Sequence, residues 1–156
     1  MSPLRLLVDT NLLVLLIVGK INRKRIEKFK RTNKYRESDF DLLCDLIAQA
    51  TETYTVTQVM AETGNLTDLK DHEGEESRAL LKQLAASLTE PPIASTEAAQ
   101  DDSFAALGLT DAAIARVARL HECTVLTDDL DLYLYLQRSD LPVLNFTHYR
   151  AQAGTV

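Results

Sequence analysis

The chain has 156 residues, 46% of them hydrophobic and 26% charged, with a net charge of −6. That length corresponds to one domain, able to bury roughly 70% of the surface its unfolded form exposes. With 5 Gly, 4 Pro and no low-complexity tract, the composition excludes collagen-like, disordered and linker-dominated chains.

Leu4 to Val8 is a short apolar run that reads as a strand and ends in Asp9-Thr10-Asn11, residues that stop strands and cap helices. Leu12 to Val18 then reads as a buried helix up to Gly19, and at well under the ~20 apolar residues of a membrane span it predicts no transmembrane segment. Ile21 to Phe29 and Phe40 to Ala50 carry apolar residues at helical spacing and predict two amphipathic helices. Tyr54 to Val56 is a β-branched and aromatic strand, and Thr57 caps a helix running to about Leu69. Leu80 to Leu88 is helical until Pro91-Pro92, a weaker helix covers Glu97 to Leu107, and Thr110 caps Asp111 to His121. Cys123 to Leu126 is a strand, Asp129 to Gln137 a helix and Pro142 to Phe146 a last strand.

Short apolar strands separated by helices predict an α/β fold, a mostly parallel sheet covered on both faces. Residues 1–150 read as a single domain with a basic helical insertion at about 20–36, and 151–156 as a short C-terminal tail. Cys44 and Cys123 stand far apart with no C-x-x-C, which removes a disulfide framework and a zinc knuckle and makes the cytoplasm the default location. Charge is uneven. Between Lys20 and Arg36 nine basic residues face Glu27 alone, a net +8 that leaves −14 for the rest of the chain.

In an open parallel sheet, ligands bind beyond the carboxyl ends of the strands. Asp9 follows one strand and Asp128-Asp129 follow another, which brings carboxylates to one edge if those strands are neighbours. A single Asp there reads first as a helix N-cap; two such positions, one with paired acids, weaken that reading. Glu62 falls on the apolar line of Val59, Leu66 and Leu69 and is expected to be a buried carboxylate, a stability liability without a cation beside it. Asp111 opens its own helix, where the dipole favours an acid without any function. Together Asp9, Glu62, Asp111 and Asp129 form a hard-oxygen set with no His or Cys, suited to Mg²⁺ or Mn²⁺ and to phosphoryl transfer.

These residues resemble the PIN-domain ribonucleases, which include the toxins of bacterial toxin-antitoxin modules. The matching pieces are Leu7-Val8-Asp9-Thr10-Asn11, Val59 to Glu62, Leu109-Thr110-Asp111-Ala112 and Val125-Leu126-Thr127-Asp128-Asp129, in the family's order from about Leu4 to Phe146. The resemblance implies a three-layer α/β/α sandwich, a Mg²⁺ or Mn²⁺ site at Asp9, Glu62, Asp111 and Asp129, and hydrolysis of RNA to 5′-phosphate and 3′-hydroxyl ends. It implies Thr127 as an orienting residue by the family's T-x-D pattern, Thr10 and Asn11 as supporting residues, and Asp128 and Asp131 as alternative fourth ligands. A cognate antitoxin protein and a homodimer are the partners it suggests.

The long basic stretch departs from the compact toxins, and Arg23, Lys24, Lys28 and Arg31 are its candidates for RNA contact. Competing readings lack their residues. A haloacid-type phosphatase needs a second Asp where Asn11 stands, a response-regulator receiver needs a different acid order, and no P-loop, dinucleotide or G-x-S-x-G motif occurs. His72, His121 and His148 show no H-E-x-x-H spacing. The alternative that survives is a non-catalytic RNA- or protein-binding module on the same fold.

Overall fold

The structure is a computed structural model and describes residues 3–154. In chain order its elements are β1 (Arg5–Val8), α1 (Thr10–Ile21), a 3-10 helix (Arg23–Arg25), α2 (Glu37–Ala48), β2 (Glu52–Tyr54), α3 (Thr57–Leu66) and α4 (Asp71–Ser87). They continue with α5 (Ser95–Ala98), α6 (Phe104–Leu107), α7 (Leu109–His121), β3 (Thr124–Thr127), α8 (Leu130–Arg138), β4 (Val143–Asn145) and α9 (Phe146–Gln152).

The four strands form one sheet, every pairing parallel, in the order β2-β1-β3-β4. Helices flank it, giving the α/β class and the three-layer sandwich expected from the sequence. Leu6, Leu7 and Val8 of β1 pair with Thr124, Val125 and Leu126 of β3, so the residues after both strands leave the sheet side by side. The Asp9 N–H extends the ladder by donating to the Leu126 carbonyl at 3.0 Å.

α1 is apolar on every side and accordingly buried from Leu12 to Gly19, packed among α2, α3 and α4. It starts where Asp9, extended at φ −72° and ψ 162°, accepts the Thr10 N–H at 2.7 Å. Gly19 does not end it. An added Cβ there would collide with the Phe40 ring, so this glycine lets α2 pack directly on the α1 backbone.

Four further expectations about elements need correcting. The helix predicted over Ile21–Phe29 is absent: Asn22 turns extended (φ −163°, ψ 110°), its side chain accepts the Lys24 N–H, and the chain continues through a 3-10 helix and successive turns to Tyr35. The buried residues that suggested a helical stripe, Ile26 and Phe29, are served by these turns. The helix predicted over Leu80–Leu88 begins much earlier, at Asp71; its first half is polar and only Ser77 on it is buried, leaving no apolar period to read. Thr110 does not cap α7, which starts one residue earlier from Gly108, at φ 87° a position that favours glycine. The strand predicted to reach Phe146 gives way to α9 there, and of the expected tail, residues 155–156 lie outside the described residues.

Candidate active site

β1 and β3 are adjacent and central, and the chain moves from them to opposite edges of the sheet. The crevice beyond their carboxyl ends is therefore the topological switch point where α/β sheets bind ligands. An open pocket of about 320 Å³ occupies it, lined by Asp9, Glu62, Asp111 and Asp129 together with Thr10, Asn11 and Thr110. Leu66, Leu107 and Leu109 form its apolar side, and among the described residues no basic one lines it.

Asp9 is 7% exposed and held from two directions: Thr127 Oγ1 donates to its Oδ2 at 2.6 Å, and the Thr10 N–H to its Oδ1 at 2.7 Å. Burial raises its pKa to about 6, against the lowering effect of those two donors and with the help of the Asp128 and Asp129 charges. Asp111, in the first turn of α7, is pushed up to about 7 by burial and then by the charges of Asp9, Asp129, Glu62 and Asp131. Burial first, and the charges of neighbouring acids after it, thus raise both carboxyls well above the ordinary carboxylate range.

Asp129 caps α8, accepting the Leu132 N–H at 3.1 Å, while its own N–H donates to Thr127 Oγ1 at 3.0 Å. Thr127, fully buried, therefore joins the acid of β1 to the acid after β3. Glu62 is in the pocket but not on a buried stripe. The inward line of α3 is Val59 and Thr63, the threonine satisfying its hydroxyl on the Val59 carbonyl at 2.7 Å, and the helix ends before Leu69. Glu62 is exposed and turned to the pocket, where it accepts from Thr10 Oγ1 at 3.3 Å and Thr110 Oγ1 at 2.5 Å. The expected buried liability therefore does not exist. Thr110 is the pocket residue that the capping argument misplaced.

The alternative acids lie elsewhere. Asp131 is exposed on α8 and acts on Asp111 only through its charge. Asp128 does not line the pocket; its carboxylate accepts from the Tyr35 hydroxyl and pairs with Lys34 Nζ at 2.9 Å. Among the described residues, no three His, Cys, Asp or Glu side chains are grouped so as to hold a metal ion as they stand. The donor set is nonetheless of the kind Mg²⁺ and Mn²⁺ take: oxygen only, mutually repelling, with no ammonium or guanidinium to neutralise it.

Of the candidate RNA contacts, Lys24, Lys28 and Arg31 are exposed without an ion pair among the described residues, whereas Arg23 is bound to Asp41 at 2.6 Å. A larger groove of about 450 Å³ between α1, α2, α4 and β2 is mostly apolar, with Leu13, Leu16, Ile47, Leu84 and Leu88 in its wall. Its one carboxylate is Glu52, so it offers no acid cluster.

No protein-family model matches the chain, and no curated protein matches it in sequence. Solved structures match its fold. PAE2754 from Pyrobaculum aerophilum gives a TM-score of 0.56 at 16% identity, over 98% of this chain and 97% of that one. FitAcB from Neisseria gonorrhoeae gives 0.54 at 19% identity, over 92% of this chain and 99% of that one. At these identities the likeness is one of fold, and it spans nearly the whole domain.

Proposed function

We propose that this protein is a divalent-metal-dependent ribonuclease, with Asp9, Glu62, Asp111 and Asp129 holding Mg²⁺ or Mn²⁺. One observation carries the reading: acids from four separate stretches of chain line a single pocket at the switch point, two of them with raised pKa values, and no base lines it. A binding module gains nothing from such a set, which costs stability wherever the carboxylates are ionised together.

When bound, the metal supplies charge neutralisation at phosphate oxygens and a more acidic water. The chain supplies the frame. Thr127 and the Thr10 N–H fix both oxygens of Asp9, the hydroxyls of Thr10 and Thr110 fix those of Glu62, and Leu132 fixes Asp129, so the acids are oriented by donors that carry no charge. No His or Cys lines the pocket, so a covalent route through such a side chain has no candidate. The finer assignment, a toxin with an antitoxin protein as partner and cellular RNA as substrate, draws on the motif resemblance and on the fold shared with FitAcB. A homodimer and a cytoplasmic location belong to the same reading.

RNA cleavage in Mg²⁺ or Mn²⁺ is expected to stop in excess EDTA and in Asp9→Asn. Asparagine there keeps the size of the side chain but loses its charge. Equal cleavage with EDTA, or at the wild-type rate by Asp9→Asn, would remove the metal mechanism; RNA binding without any cleavage by the wild type would favour the binding module.

A further inference from the structure

The basic segment between α1 and α2 is tied down most firmly at its C-terminal end, beside the candidate active site. Tyr35 is fully buried and its hydroxyl donates to the Asp128 carboxylate; Lys34 Nζ reaches the same oxygen, Oδ2, at 2.9 Å. The Asp128 side chain is 4% exposed, so these two donors, both on Oδ2, answer a carboxylate largely shielded from water. Burial, with the charges of Asp128 and Asp9, raises the pKa of Tyr35 well above the usual phenol range, so it stays a donor.

A second set of contacts closes the same end. Arg150 of α9 pairs with the buried Asp39 at 3.0 Å, donates to the Lys34 carbonyl at 3.0 Å and stacks over the Tyr35 ring at 5.2 Å. Further back, Thr32 Oγ1 clasps the Ile26 carbonyl at 2.7 Å, and Ile26 and Phe29 are buried. Lys24, Lys28 and Arg31 therefore project from a segment with an internal anchor and a fixed end.

Asp128 lies between Thr127, which holds Asp9, and Asp129, which lines the pocket. The geometry points to Asp128 as a positioning residue: through Tyr35 and Lys34 it fastens the basic segment 22–36 to the turn bearing Thr127 and Asp129, setting those cations at a fixed distance from the acid pocket for a polyanionic RNA strand. This rests on the ribonuclease reading and adds to it the device that aligns the substrate. It also gives Asp128 a task other than ligation.

The test is steady-state RNA cleavage by the intact protein with Mn²⁺, with amide hydrogen exchange across 22–36 measured on the same samples. Asp128→Ala is expected to raise KM about tenfold while kcat stays within about threefold, and to lower protection across 22–36. Tyr35→Phe, which keeps the ring packing and removes one donor, is expected to move both readouts the same way by less, and it carries the test if Asp128→Ala does not fold. Unchanged KM and unchanged protection in a folded variant overturn the proposal. So does a loss of kcat like that of Asp9→Asn at constant KM, which would make Asp128 a ligand. If the wild type cleaves no RNA, the ribonuclease reading is what has failed, and exchange together with RNA affinity of the same variants decides the fastening alone.

Discussion

Asp9 and Asp111 bind protons more tightly in the folded chain than in the unfolded one, where a carboxyl titrates near its ordinary 3.8. Between that value and about 7 the native state therefore carries the extra protons, and its stability falls as pH rises through the folded pKa values. Their stabilising share is complete below about pH 4 and gone above about pH 7. We expect the metal-free protein to melt at lower temperature at pH 8 than at pH 5, and Asp111→Asn to flatten that slope. A gain of about 1 kcal/mol at pH 8 would appear as about 3 °C in Tm for a chain of this size. Differential scanning calorimetry in EDTA checks both; a Tm that rises toward pH 8 would show that the two acids are already compensated. Asp9, Asp111 and Asp129 were legible because each sits at a strand end or helix start, where sequence and topology point to the same edge. Glu62 was legible as a residue of the pocket but not as an exposed one, since counting along a helix gives its face only if the buried line is known. Lys34 and Tyr35 left no local signal, because their partner Asp128 lies 93 residues beyond Tyr35.

Elements with an apolar rhythm or a strand-end acid were readable: β1, α1, α2, α7, β3 and α8 all fall close to their expected spans. The first half of α4 failed for want of any apolar pattern; elsewhere a pattern misled because its meaning depends on what packs against it. Gly19 shows this most clearly. Read alone, a glycine after an apolar run stops a helix; in the fold it lies inside α1 because the Phe40 ring of α2 occupies the space of its Cβ. Gly19→Ala must therefore displace that ring, and the cost of overpacking, about 1–3 kcal/mol, exceeds alanine's helix-propensity gain. The expected outcome is a lower urea midpoint and a Tm lower by several degrees, with the pocket acids untouched. An unchanged midpoint would mean that α2 is free to move away.

The molecule divides its charge into a cationic segment and an acidic remainder, and partly reunites them through pairs such as Arg23–Asp41, Arg25–Glu73, Lys30–Asp68 and Lys34–Asp128. What remains for a polyanion is less than the segment's net +8 suggests. Replacing Lys24, Lys28 and Arg31 together with Gln is expected to reduce the slope of log affinity against log salt for single-stranded RNA by about 2, while Arg23→Gln changes it less. Binding titrations at several salt concentrations measure this. An unchanged slope, with a changed oligomer mass or a lost protein partner, would make the segment a docking surface instead. The strand order has a consequence of another kind. β1 is made first but acquires its β3 neighbour only after the chain has been extended by more than a hundred residues, and such distant parallel pairing forms late and slowly. Asp129 and the Thr127 clamp on Asp9 arrive with that same strand. A nascent chain on the ribosome, surrounded by the RNA it is proposed to cut, thus stays chemically incomplete until β3 and the residues after it have been made, so the proposed activity is timed by the order of assembly.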